Sequence, residues 1–313
     1  MASKILITGA NGFIGSHTTL FMESLGHTLV PIDVLPRSSE LSLLPIRTAS
    51  HIMDVTDARA FRDLCDKERP THIFHAAHPP RDETPTVLNY CYHAMTNILE
   101  AAKEFKLQRV VYSSSASIYG QLRKKDGTAI GEDDAVTIYP TYFYRAAKMV
   151  SEWMGDFYKQ REGVSFTALR YSSVYGPGLA RSIPLELKKG ILGQPCRPFL
   201  TRVADDPIYV DDVTDAVRRA LFSERPLSRA YNIGLGKTYD SEGLRQAIKK
   251  ALPNLSFEIG NHPKAEEVGP HRSRDVLDIT LAKQELDWAP RIDLDDGIAR
   301  LGAWLVQHKH LLQ

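Results

Sequence analysis

Thr8-Gly9-Ala10-Asn11-Gly12-Phe13-Ile14-Gly15 decides the fold. It follows the apolar run 4–8 and opens a segment, 13–25, in which Phe13, Ile14, His17, Leu20, Phe21 and Leu25 recur at helical spacing and are expected to share a face. Glycines placed between a strand and a helix have a mechanical reading. Gly9 permits the tight turn, Gly12 lets the backbone approach a pyrophosphate, and Gly15 lets the helix pack close to the sheet. The helix N-terminus then offers free N–H groups and its positive dipole end to the anion. The segment predicts a βα unit with a dinucleotide held at Gly9, Asn11, Gly12, Phe13, Ile14 and Gly15; an ordinary glycine-rich turn is the alternative that this context disfavours.

Working outward, strand-like runs at 28–33, 51–53, 72–76, 109–114 and 165–171 alternate with helical segments at 57–68, 86–105 and 142–161. Such alternation implies a parallel, doubly wound sheet. Past Tyr171, Gly176-Pro177-Gly178, Pro184, Gly190, Gly193, Pro195 and Pro198 break any long element. Runs at 208–210 and 231–233 read as returns to the sheet, and helices are expected near 241–251, 280–287 and 297–308. The fold class is therefore α/β: a doubly wound parallel Rossmann sheet over 1–172 and 205–234, with a smaller α/β substrate-binding lobe built from 173–204 and 235–313.

Composition bounds the function. In 313 residues, 39 Lys and Arg offset 38 Asp and Glu, and no block of one sign suggests a nucleic-acid or membrane partner. A small-molecule substrate fits. Cys65, Cys91 and Cys196 are odd in number and widely spaced, so neither a disulfide framework nor a zinc site is expected, and no metal is assigned. No stretch approaches the roughly 18 apolar residues of a membrane span. With Met1-Ala2-Ser3-Lys4 running straight into the first strand, a soluble cytoplasmic protein is expected.

Asp33 ends the second strand, where its carboxylate can accept hydrogen bonds from the adenosine ribose and would repel a 2′-phosphate; NAD is expected over NADP, although Arg37 stands close by. Asp54 and Val55, after the third strand, are placed beside the adenine, the alternative for Asp54 being an N-cap for the helix starting near Asp57. Ala76, ending the fourth strand, joins the cofactor set.

Tyr144-Arg145-Ala146-Ala147-Lys148 puts a phenol and an ammonium on one helix face at i, i+4. A free tyrosine, with a pKa of about 10, is a poor base at neutral pH unless a nearby positive charge favours the phenolate. Ser113 to Ser117 place small hydroxyls at the carboxyl edge of the fifth strand, where open α/β sheets bind ligands. They also read as an ordinary strand end.

These stretches, with Tyr119-Gly120, Pro140-x-x-x-Tyr144-x-x-x-Lys148-x-x-x-Glu152, Leu169-Arg170-Tyr171, Tyr209-Val210-Asp211-Asp212-Val213 and Tyr231-Asn232-Ile233-Gly234, resemble the extended short-chain dehydrogenase/reductases, the group of nucleotide-sugar epimerases and dehydratases. The resemblance implies Ser115 as the catalytic hydroxyl, Tyr144 as the acid/base, and Lys148 as the residue that binds the nicotinamide ribose and lowers the tyrosine pKa. It also implies a homodimer formed through the helices near 86–105 and 142–161. Within the group, dehydratases carry an Asp-Glu pair after the catalytic hydroxyl, and related decarboxylases a glutamate; Ala116-Ser117-Ile118 stand there, so the form resembles the 4-epimerases, which act on UDP-sugars.

Some positions depart from the family pattern. Cys91 stands where the family has Asn, Ser173 replaces the Asn that commonly meets the sugar diphosphate, and Asp205 replaces an arginine whose site would reject an acid beside a diphosphate. Ser173, with Arg181, Arg272 and Arg274 as anion clamps and Ser115 at the reacting end, forms the expected substrate set. His78 occupies a position where the family usually has alanine, with a structural role or a contact to cofactor or substrate both open. The readings carried forward are a nucleotide-sugar 4-epimerase, a net dehydrogenase of a free sugar, sugar acid or other hydroxylated metabolite, and a non-catalytic redox sensor.

Overall fold

Strand β1 (Lys4–Thr8) pairs in parallel with β2 (Thr28–Asp33) on one side and β4 (His72–His75) on the other. With β3 (His51–Ile52) at one edge and β5 (Arg109–Ser115), β6 (Phe166–Tyr171) and β9 (Ala230–Ile233) continuing the other, the order is β3-β2-β1-β4-β5-β6-β9, parallel throughout. The winding reverses between β1 and β4, so the carboxyl ends of those strands flank a crevice, the place where such sheets bind ligands. The computed structural model describes residues 3–79, 84–120, 124, 126–134, 143–198, 205–258 and 276–312.

Parallel strands are buried on both faces because their crossover helices cover them. Ile5 and Ile7 of β1 face one layer, made by α1 (Phe13–Ser24) and α6 (Val210–Leu221) through Met22, Val213, Ala216, Val217 and Ala220. Leu6 faces the other, made chiefly by α2 (Ala58–Glu68) and α3 (Thr86–Glu104) through Phe61, Ala94, Met95, Ile98 and Leu99. The helix α4 (Phe143–Glu162) packs beside α3. A third core gathers α5 (Ser182–Ile191), α7 (Ser241–Ala251) and α9 (Leu294–Gln307) around Tyr175, Tyr209 and Val210. The short helix α8 (Thr280–Glu285) and Trp288 join the first core instead, the indole donating to the Asp212 carbonyl at 3.0 Å.

Three expectations change. The face expected on α1 packs only in part: Phe13 and Ile14 meet the cores and His17 is buried, whereas Leu20 and Phe21 are half-buried and Leu25 is 49% exposed, and Gly15, Ser16, Thr18, Thr19 and Met22 complete the buried set. The helix is wedged against both the sheet and α6, and close approach favours small side chains whose hydroxyls bond locally, Ser16 to the Ala10 carbonyl and Thr19 to the Gly15 carbonyl. The run 208–210 does not return to the main sheet: β8 (Pro207–Tyr209) pairs with β7 (Ser173–Tyr175) as a separate two-stranded sheet, and Val210 opens α6. Pro184 does not break the chain after Tyr171, because it lies in the first turn of α5, where its missing N–H would have no helical acceptor.

Strand β4, His-Ile-Phe-His, is buried at every position. His72 pairs with the Thr71 hydroxyl and His75 with the Thr8 hydroxyl, at 2.8 and 2.7 Å. Burial, reinforced by Arg109 and His27, lowers the His72 pKa to about 4, and burial with Lys148 and His78 nearby lowers that of His75 to about 3. Unfolded histidine takes its proton near pH 6.5. Native stability is therefore full above that pH and falls as pH drops towards the native values, by about 2 kcal/mol per histidine at pH 5. Urea unfolding at pH 7.5 and pH 5 should show this loss, and His72→Gln should reduce it by about 2 kcal/mol; a variant whose stability falls as steeply as the parent's contradicts the assignment.

Candidate active site

The glycine turn is locked by backbone contacts. Gly9 has φ +67°, and a Cβ there would stand 2.6 Å from the Ala77 nitrogen, so both the left-handed conformation and the approach of β4 demand glycine. A Cβ on Gly15 would lie 2.0 Å from the Gly9 carbonyl oxygen. Gly12 is different: it is exposed, its φ is −76°, and a Cβ would meet only the Gly9 oxygen at 3.3 Å. Its bare outer side leaves room for an anion at the α1 N-terminus, where the first amides, including those of Phe13 and Ile14, have no helical acceptor. The cradle fits a pyrophosphate.

Asp33 spans the turn. Its carboxylate accepts from the Asn11 amide at 2.9 Å and from the Leu35 amide at 3.2 Å, which leaves further lone pairs for ribose hydroxyls. The Asn11 side chain donates to the Leu35 carbonyl and accepts from Ser50, so its polar atoms hold the turn to the loop after β2. Arg37 is half-buried, with its guanidinium directed at the Thr48 carbonyl. Asp54 is exposed and accepts from the Thr56 amide; the N-cap of α2 is Asp57, which accepts from Ala60. The Val55 side chain is buried and its carbonyl takes the Asn97 amide, which leaves the Val55 side chain in the core. Ala76 sits at the end of β4, its amide on the Thr8 carbonyl.

Tyr144 lies half-buried in the first turn of α4 and Lys148 one turn later, 4% exposed. The Lys148 ammonium donates to the Ser113 carbonyl at 2.7 Å and stands 4.9 Å from the Tyr112 ring centre and 5.7 Å from that of Tyr144. An ammonium has three donors, so those not used by Ser113 remain for a ligand. His78 packs on the Tyr144 ring at 4.8 Å and bonds through Nδ1 with the Pro79 carbonyl. Ser115 ends β5 and accepts from the Ser117 amide, capping a 3₁₀ turn over Ala116–Tyr119. Burial pushes the Tyr112 phenol well above its ordinary pKa, so beneath Lys148 it is neutral.

Other motif residues have structural partners. Glu152 accepts from Ser114 and from two nitrogens of Arg170, while Arg170 also donates to the Tyr119 hydroxyl, which in turn donates to Asn232. In the sequence these residues stand only as parts of motifs; the signal that marks Glu152 is the continuation of the Tyr144 and Lys148 spacing. Among the expected substrate residues, Ser173 donates to Asp205 at 2.6 Å, and Asp205 is buried, its backbone paired with Tyr239. Arg181 is exposed at the start of α5. Arg272 and Arg274 lie outside the described residues.

Comparison with known proteins agrees with this geometry. The chain is 28% identical to a putative UDP-glucose 4-epimerase of Methanocaldococcus jannaschii, covering 96% of this chain and 98% of that one. It is 27% identical to UDP-glucuronate 4-epimerase 5 of Arabidopsis thaliana, covering 96% and 74%. The solved UDP-glucose 4-epimerase of Thermotoga maritima superposes with a TM-score of 0.82 at 23% identity, over 98% of this chain and 99% of that one, which shows the shared fold. Residues 5–234 match the family model described as the NAD dependent epimerase/dehydratase family. Glycine cradle, sheet order and family model agree: the chain belongs to the NAD dependent epimerase/dehydratase family and is an NAD-dependent enzyme.

Proposed function

We propose that the protein is a nucleotide-sugar 4-epimerase acting on a UDP-sugar, with Ser115, Tyr144 and Lys148 as its catalytic residues. The observation that carries the reading is the buried Lys148 ammonium, held at one point by the Ser113 carbonyl and set beside Tyr144 on the same helix. Its charge favours the phenolate. Tyr144 then takes the proton of the sugar hydroxyl and later returns it, while Ser115 orients the reacting oxygen. NAD, when bound, supplies the hydride acceptor and the hydride donor. The Gly9, Gly12 and Gly15 turn with the Phe13 and Ile14 amides would hold its pyrophosphate, Asp33 its ribose, Asp54 and the backbone amide of Val55 its adenine, and Ala76 and Lys148 its nicotinamide side. Ala116 and Ser117 offer no acid for elimination of water, and the two relatives compared above carry the names of UDP-sugar 4-epimerases.

One observation favours a second reading, a dehydrogenase of a free sugar or sugar acid. The Ser173 hydroxyl donates to the Asp205 carboxylate, so this pair sets a neutral group and an acid, with no cation, where a diphosphate would lie. The substrate lobe, 173–204 and 235–313, would contribute Ser173, Arg181 and Arg272 in either case. The NAD-loaded protein, given UDP-glucose, UDP-glucuronate, glucose and glucuronate in turn, should interconvert a UDP-sugar and its C4 epimer with no net absorbance of NADH. Stoichiometric NADH from a free sugar would establish the second reading instead. Tyr144→Phe should lower turnover by about 10²–10⁴-fold with NAD retained; full turnover in that variant removes the tyrosine from the mechanism.

We propose a cytoplasmic homodimer. No helix among the described residues is long and apolar enough to cross a membrane. Tyr92 on α3, with Trp153 and Phe157 one turn apart on α4, are each more than half exposed, an aromatic face suited to a second copy. Light scattering should give twice the chain mass, and Trp153→Arg with Phe157→Arg the single mass; an unchanged mass in that variant places the interface elsewhere.

A further inference from the structure

Lys148 and Glu152 occupy the i, i+4 positions at which a lysine and a glutamate readily pair, yet they form no ion pair. They hang instead from consecutive residues of β5, the ammonium on the Ser113 carbonyl and the carboxylate on the Ser114 hydroxyl, at 2.7 and 2.5 Å. What draws the carboxylate aside is Arg170 of β6, 2% exposed, whose Nη2 and Nε reach Glu152 at 2.7 and 3.1 Å. The guanidinium is fixed in turn by the Tyr119 hydroxyl at 2.7 Å and the Glu132 carbonyl at 2.9 Å. Burial alone would lower its pKa, but the Glu152 charge and hydrogen bonds raise it above the ordinary value, so the guanidinium stays charged.

We propose that Arg170 is a positioning residue for the acid/base pair: by closing Glu152 into an ion pair it keeps that carboxylate off Lys148, so that the ammonium acts on Tyr144 uncompensated. The inference rests on the reading of Tyr144 and Lys148 given above. Among the described residues, the other titratable groups facing the pair are His75 from β4, His78 from the loop that follows it, Tyr112 from β5, Tyr171 from β6, Tyr119 from the 3₁₀ turn and Cys91 from α3. Burial keeps His75 neutral, and it raises the phenols of Tyr112, Tyr171 and Tyr119 and the thiol of Cys91, so these carry no charge near pH 7. Glu132, behind Arg170, is engaged by the Asn232 amide. Without Arg170 the Glu152 carboxylate swings onto Lys148 and cancels its charge, and the phenolate loses its support.

The test is the titration of Tyr144 in the NAD-loaded protein, read as the tyrosinate ultraviolet difference spectrum against Tyr144→Phe, with His78→Ala run alongside to separate the imidazole. Arg170→Gln should raise the Tyr144 midpoint by about one pH unit, an approximately tenfold loss of phenolate below it. Glu152→Gln, which leaves the guanidinium unopposed, should lower the midpoint, and the double variant should return to the parent value. A midpoint unmoved by Arg170→Gln, or raised equally in the double variant, overturns the proposal, because a merely structural role loosens both alike. If Arg170→Gln does not fold, the other two decide: a lowered midpoint in Glu152→Gln with a parental one in the double variant upholds it, and any other pair of values overturns it. The spectrum does not depend on turnover. Full activity in Tyr144→Phe would therefore defeat the catalytic reading separately from this electrostatic one.

Discussion

The backbone of Gly9 against that of Gly15 is the contact on which the architecture turns. No side chain fits where a Cβ on Gly15 would lie 2.0 Å from a carbonyl oxygen, so the first helix leaves the first strand at one angle only. That angle aims the α1 amides at the crevice mouth and wedges α1 between sheet and α6. It also delivers Phe13 onto the third core, beside Tyr175 and Val210, so the turn that would hold the cofactor is in van der Waals contact with the lobe that would hold the substrate. Gly176 extends the link, since a Cβ there would stand 2.6 Å from Val210.

The sheet was legible because both of its signals are local. Short β-branched runs between helical segments placed six of the seven main strands, and 231–233 supplied the seventh within a residue or so. The misses share a cause. At α1 the expected face is only partly right, because the spacing between layers, a tertiary property, admits glycine, serine and threonine beside Met22 and leaves Leu25 outside. At α6 the information was present: Val210, Val213, Val217 and Leu221 repeat at helical spacing, with Asp211 and Asp212 in the first turn and Arg218 and Arg219 in the last, matched to the helix dipole. Short β-branched content near 208–210 masked it. The partner of β8 was not legible, because a three-residue strand carries no mark of which edge it joins.

At the site, the residues that chemistry and spacing single out were legible in the sequence, and those packed behind them were not. Tyr144 and Lys148 announce themselves by spacing. Glu152, Arg170, Tyr119 and Asn232 come from four separate segments and form one buried polar chain only when β5, β6, β9 and α4 are assembled. A buried ion pair of this kind adds little net stability, since desolvation offsets attraction, whereas loss of one partner costs about 3–5 kcal/mol. Its presence is better explained by register: it fixes which turn of α4 faces which residue of β5.

The charge pattern follows the same logic. Keeping the ammonium of Lys148, a residue only 4% exposed, without a carboxylate is costly, and the protein offsets that cost without neutralising the charge. One carbonyl and the faces of two tyrosines stabilise the cation while leaving its field intact, because quadrupoles and dipoles carry no net charge to cancel it. A carboxylate in the same place would stabilise the ammonium further and cancel its field at the Tyr144 ring. Among the described residues, the nearby acid Glu152 is closed onto Arg170 and the nearby imidazole of His75 is held neutral, so neither of them cancels the ammonium set beside the phenol.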